Sequence, residues 1–158
     1  MSAMLVIGYG NELRSDDGVG PKVAAAIAAM QLPSVDAIAC HQLTPELAEP
    51  IASARAVIFV DAVRDSGGGV KTQMIEPSPT AQVMAHAGGP ESLLALAREW
   101  FGKCPPAWLI RVPAATFDFG EQLSALAEKG LAEAIEEIKG LCARHDSGGT
   151  IVTAIVNR

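Results

Sequence analysis

The chain has 158 residues, the length of one domain, and its 49% hydrophobic and 19% charged content excludes a disordered polypeptide. Lys and Arg number 12 against 18 Asp and Glu, a formal charge of −6 with no basic cluster, which speaks against nucleic acid or an anionic membrane surface as partner. Apolar runs such as Ala56 to Val60 are too short to span a bilayer, no signal peptide is expected near Met1, and the 3 widely spaced cysteines (Cys40, Cys104, Cys142) without a CxxC suit reduced thiols in a cytoplasmic protein rather than a disulfide or zinc scaffold.

Met4 to Gly8 is a short apolar run ending in Gly and predicts a buried strand. From Val19 the apolar positions Val23, Ile27 and Met30 recur at helical spacing, with Pro21 tolerated in the first turn. Val35 to Cys40 predicts a second strand. Thr44-Pro45-Glu46 has the form of a helix start, a capping Thr followed by Pro and an acid. Ala56 to Val60 is the most β-branched continuous run; it predicts a central strand buried on both faces and terminating in Asp61.

Asp65-Ser-Gly-Gly-Gly is turn chemistry, and Val70 to Ile75 predicts another strand. Glu76 to Pro90 reads as a loop, Glu91 to Phe101 as a helix, and Trp108 to Val112 as a strand. Leu123, Leu126, Leu131, Ile135, Ile138 and Leu141 mark a long amphipathic helix with Lys139, Arg144 and His145 towards its end. The tail from Asp146 to Arg158 is either an edge strand or a poorly ordered end. The expected organisation is therefore one domain over residues 1–145 followed by that tail, 146–158.

Alternating strands and helices predict a three-layer α/β/α sandwich around a mostly parallel sheet. Ligands of such sheets bind beyond the carboxyl ends of the strands, where the strand order reverses. The informative segments are then Gly8 to Gly20, Cys40 to Thr44, Asp61 to Arg64 and the loop leading to Pro90.

Gly8-Tyr9-Gly10-Asn11-Glu12-Leu13 begins like a dinucleotide-binding G-x-G-x-x-G but has Leu13 at the third glycine. Asp16 and Asp17 also front the first helix, where carboxylates repel a pyrophosphate and attract a cation. No GK[ST] is present either. A cap or dipole partner contributes roughly 0.3–2 kcal/mol, but two adjacent acids exceed what a cap needs. Asp61, at the ligand edge of the most buried strand, is either a loop-anchoring acceptor or a functional carboxylate.

His86 lies in Met84-Ala-His-Ala-Gly-Gly-Pro90, where glycines allow close backbone approach; alone it reads as an ordinary loop histidine. His41 is a weaker candidate of the same kind, and His145 reads as a helix-end charge. Together an acid after the first strand, an acid after the third and a loop histidine form an O/O/N set suited to a divalent transition metal with positions left open for substrate. Cys40 and His41 are adjacent in sequence, so strand geometry points them to opposite faces and gives no Cys–His nucleophile.

GYGNELRSDDGVGPKV resembles the amino-terminal signature G-x-G-N-x-L-x-x-D-[DE]-G-x-G of the hydrogenase maturation endopeptidases. VIFVDAV is similar to that family's apolar run ending in Asp, and HAGGPESLLAL to its histidine loop and following helix. The likeness spans about Met4 to Leu96, with a weaker echo at Phe117-Asp118-Phe119-Gly120. It implies an α/β/α domain that removes a carboxy-terminal extension from the large-subunit precursor of [NiFe] hydrogenase after nickel insertion. It also implies that Asp17, Asp61 and His86 contact nickel carried by the precursor, so that nickel arrives with the substrate and no tightly held resident metal is needed.

Where many relatives have D-G-G-T after the second strand, this chain has His41-Gln42-Leu43-Thr44. That difference leaves open which hydrogenase class is processed and raises a role for His41 in recognition. The expected mechanism is metal-assisted hydrolysis of one peptide bond by a monomer, with Asp17, Asp61 and His86 at the centre and Asp16 as either base or first-helix cap. Two rivals remain at this level: a non-catalytic metal-sensing or chaperone module using the same ligands, and a flavodoxin-like nucleotide-binding domain.

Overall fold

Four apolar residues in a row, Met4 to Ile7, open β1 (Met4–Tyr9), and all four are buried. Leu5 and Ile7 enter one hydrophobic core while Met4 and Val6 enter another. β3 (Ala56–Arg64) repeats the division, with Val57 and Phe59 on one face and Ala56, Ile58 and Val60 on the other. A strand covered on both faces has no solvent side, so its sequence is a continuous apolar run rather than an alternating one.

The computed structural model describes residues 3–65, 68–79 and 88–146. Besides β1 and β3, its sheet contains β2 (Val35–Cys40), β4 (Lys71–Ile75) and β5 (Ala107–Ala114), in the order β2-β1-β3-β5-β4. All neighbours are parallel except β4, which runs antiparallel to β5 at the edge. Helices α1 (Val19–Met30) and α4 (Ala125–Asp146) cover one face, and α2 (Ala48–Ser53) and α3 (Pro90–Phe101) cover the other. The α/β/α sandwich around a mostly parallel sheet is as expected.

Element ends follow local chemistry. α1 stops at Gln31, whose φ of 51° is left-handed and whose N–H bonds the Ala28 carbonyl. α3 starts with Pro90 after Gly89 and ends at Gly102, also left-handed. α4 begins at Ala125, because Ser124 accepts the Ala127 N–H on its hydroxyl at 3.2 Å and the Glu128 N–H on its carbonyl.

Three expectations need correction. β3 does not terminate in Asp61; it continues to Arg64, since Ala62, Val63 and Arg64 pair with Val112, Pro113 and Ala114 of β5. Thr44 makes no side-chain cap, and a 3-10 turn over Pro45–Leu47 precedes α2. His145 is more than a helix-end charge, because its ring stands edge-on to Trp108 with centroids 5.0 Å apart. The expected edge strand or tail beyond residue 146 lies outside the described residues. Among those described, no helix is long and apolar enough to cross a membrane.

Candidate active site

β2 lies to one side of β1 and β3 to the other, so the order of the sheet reverses between β1 and β3. The crevice beyond their carboxyl ends is the expected ligand position. Two glycines shape it. Gly10 has a φ of +147°, and a Cβ there would collide with the Asp17 carbonyl. Gly20 lets the first turn of α1 press on the carbonyls of Tyr9 and Val60, where a Cβ would clash with both. The loop from Gly10 to Gly18 thus closes tightly over the ends of β1 and β3.

Asn11 donates its N–H to Asp17 Oδ2 at 2.7 Å, and the Asp17 N–H bonds the Arg14 carbonyl at 3.1 Å. These contacts fix a half-buried Asp17 at the mouth of the crevice. One residue past the Gly8–Val60 pair, Tyr9 and Asp61 stand opposite each other on β1 and β3. The Tyr9 hydroxyl donates to the Asp61 carboxylate, and Arg111 is the β5 partner of Asp61 in the strand register.

Burial pushes the Asp61 carboxyl above the usual range, and the Asp17 charge adds to this. Hydrogen bonds from Tyr9 and the Ala62 N–H, with the Arg111 charge, pull the other way without cancelling it. Burial and the Asp61 carboxylate in turn push the Tyr9 phenol far up, with Glu91 at the start of α3 contributing, so Tyr9 remains a proton donor in the bond. Arg111 is steadied by its bond to Gln73 Oε1 at 2.7 Å. The crevice therefore brings two carboxylates, Asp17 and Asp61, near each other, with a phenol and a guanidinium behind Asp61.

Asp16 points elsewhere. It is fully buried and accepts from Ala115 N (2.7 Å), Thr116 N (3.3 Å), Ser124 N (2.7 Å) and Ser124 Oγ (2.7 Å). Burial alone would raise its carboxyl; the bonds from Ser124, then Ala115 and Thr116, outweigh that and hold it below the usual range. With its acceptor positions committed to the segment before α4, Asp16 is neither an available base nor a cap of α1. It braces the cap of α4 through Ser124.

His86 lies outside the described residues, so two of the three expected ligands are seen together and the third is not. Among the described residues, no group of three or more His, Cys, Asp and Glu side chains forms a metal-holding cluster. His41 is exposed and lines a cavity of about 310 Å³ with Gly10, Asn11, Glu12, Leu13, Ala39 and Cys40. It borders the Asp17 loop from the β2 side.

Tyr9 and Arg111 are site residues that the motif reading passes over. Each leaves a signal: Tyr9 is the first residue after the apolar run of β1, as Asp61 is after the apolar run of β3. Arg111 interrupts Trp108-Leu-Ile-Arg-Val, where a charge inside a paired strand needs a partner.

No protein-family model and no curated protein matches the sequence. Solved structures do match. A hydrogenase 2 maturation peptidase from a Thaumarchaeota archaeon is 25% identical with a TM-score of 0.63, covering 87% of this chain and 95% of that one. The [NiFe] hydrogenase maturation protease HybD from Thermococcus kodakarensis is 22% identical with a TM-score of 0.69, covering 89% and 99%. The hydrogenase maturating endopeptidase HybD from E. coli is 21% identical with a TM-score of 0.65, covering 92% and 94%.

Proposed function

We propose that this chain, which has the fold of the hydrogenase maturation proteases, is an endopeptidase that removes the carboxy-terminal extension of a [NiFe] hydrogenase large-subunit precursor after nickel insertion. The observation that carries the reading is the convergence of Asp17 and Asp61 at the reversal point of the sheet, close enough for one charge to raise the carboxyl of the other. Nickel is carried by the substrate, and Asp17, Asp61 and His86 are its proposed contacts. Two carboxylates and an imidazole suit such a cation while leaving positions for the precursor's own ligands.

The role of Asp17 and Asp61 is first to position. Holding a scissile bond and a water in a fixed arrangement removes roughly 7–11 kcal/mol of barrier. Asp61, held by the Tyr9 hydroxyl at the ligand edge of the sheet, is the proposed acceptor of the attacking water's proton. Tyr9 orients it, and Arg111 limits how far its carboxyl rises. Asp16 drops out as a base because its oxygens are already committed.

Incubating nickel-loaded precursor with the protein tests this reading directly. Loss of one carboxy-terminal peptide, absent with Asp17→Asn, is expected; a stable complex with no change of mass would instead make the protein a metal-sensing or chaperone module. His41→Ala tests recognition from the β2 side: a raised KM is expected, and wild-type kinetics would remove His41 from the account.

A further inference from the structure

The segment between β5 and α4 has no regular secondary structure, yet it is densely fixed. Asp16 accepts four hydrogen bonds from it, two on backbone N–H groups just after β5 and two from Ser124. Ser15 adds two more, its N–H to the Gly120 carbonyl and its hydroxyl to the Asp118 carbonyl, both at 2.7 Å. Arg14 Nε reaches the Phe117 carbonyl at 3.2 Å, and the Arg64 guanidinium stands 4.9 Å from the Phe117 ring centroid. Burying a carboxylate to pin an irregular segment costs desolvation, so the fixed shape calls for an explanation.

What the segment presents is Phe119, 87% exposed, the most exposed large apolar side chain among the described residues. A parallel bridge pairs Arg14 with Gly120, and the Gly120 N–H bonds the Leu13 carbonyl at 2.8 Å. One residue before that bridge on each strand stand Leu13 and Phe119, and Leu13 is 51% exposed. The patch is therefore built on two exposed apolar residues at neighbouring positions of the bridge, next to Arg14 in the chain. Aromatic and arginine side chains held rigid in advance make the strongest contacts of protein interfaces, because little ordering entropy is lost on binding.

The position says what would cover it. The loop carrying Leu13 is the one whose Asn11 and Arg14 hold Asp17, so an occupant of the patch sits at the mouth of the crevice. We propose that Leu13 and Phe119 form a docking patch for an apolar surface on the folded body of the protein substrate, apart from the residues that act on its scissile bond. This rests on the peptidase reading above. A lipid surface fits poorly, given a net charge of −6 and no basic cluster.

Phe119→Asp and Leu13→Asp, with Phe119→Leu as the conservative control, test the patch in two measurements on the nickel-loaded precursor. In cleavage, KM is expected to rise about tenfold or more in each Asp variant with kcat within about twofold, and to recover in Phe119→Leu. In direct binding by biolayer interferometry, Kd is expected to rise by the same factor. An unchanged KM and Kd, or a fall in kcat alone, would overturn the patch. Absence of cleavage by the wild type would refute the peptidase reading, while the change in Kd would still decide the patch. A wild-type dimer that Phe119→Asp converts to monomer would assign the patch to a second copy of the chain and overturn the proposal. Thermal melts of the variants should match wild type, since both side chains face solvent.

Discussion

Asp16 and Asp17 are neighbours in the chain with opposite surroundings. Asp16 turns inward, loses all solvent contact and meets four donors, so its charge is consumed in holding the segment before α4 to the first loop. Asp17 turns to the crevice, is held through Oδ2 by one backbone N–H, and lies near enough to Asp61 to raise that carboxyl. The pair teaches that a carboxylate saturated with short bonds serves architecture, whereas one held on one side and left near a second carboxylate keeps acceptor positions open at the crevice, which is what the proposed nickel contact requires. Gly20 in the first turn of α1 and Gly10 after β1 make the division possible by bringing the helix and the loop onto the strand ends.

The largest expected effect sharpens that contrast. Asp17→Asn should lower precursor cleavage by about 10²-fold or more, since it disturbs positioning at the reacting centre. Its unfolding free energy in urea should stay within about 0.5 kcal/mol of wild type. Asp16→Ala should do the reverse, costing about 3 kcal/mol or more in the same titration because several donors lose their acceptor at once. Its kcat per folded molecule, at saturating precursor, should be retained. An Asp16→Ala protein that is stable but inactive would break the comparison.

A smaller effect comes from pH, and its sign differs between Asp16 and Asp61. The Asp16 carboxyl is held below its ordinary 3.8, so its contribution is full above that value and is lost as pH falls through the lowered one. Wild type should therefore exceed Asp16→Asn in stability at pH 7, with the gap closing in acid. The Asp61 carboxyl lies above 3.8, so its ionisation opposes folding once pH exceeds the raised value, and this penalty is gone below 3.8. Asp61→Asn should thus be more stable than wild type at pH 7 and equal to it in strong acid, as thermal melts across pH can check. The smallest change is Tyr9→Phe. Loss of its hydrogen bond to ionised Asp61 should move the acid limb of the cleavage profile upward by up to about one pH unit.

Much of the architecture was legible because both faces of β1 and β3 are covered, which leaves continuous apolar runs that periodicity reads directly. β2 begins and ends where its sequence predicts, and α3 begins one residue earlier, at Pro90. The overrun of β3 past Asp61 was less visible, because Ala62-Val63-Arg64 reads as a strand end until β5 supplies partners. In the site, the acids between Gly10 and Gly20 pointed to Asp16 and Asp17, and the end of the central apolar run to Asp61, but nothing local told which of Asp16 and Asp17 turns inward. That choice is set by Ala115, Thr116 and Ser124, about a hundred residues away in the chain, and no local pattern encodes it. Tyr9 and Arg111 were hidden for the same reason, since their partner is on a neighbouring strand.

The most direct test of the account is intact mass spectrometry of a nickel-loaded hydrogenase large-subunit precursor incubated with this protein, with its Asp17→Asn variant, and with metal-free precursor as control. The account predicts loss of a single carboxy-terminal peptide only when wild-type protein and nickel are both present. An unchanged precursor mass with wild-type protein, or equal cleavage by Asp17→Asn, would contradict it.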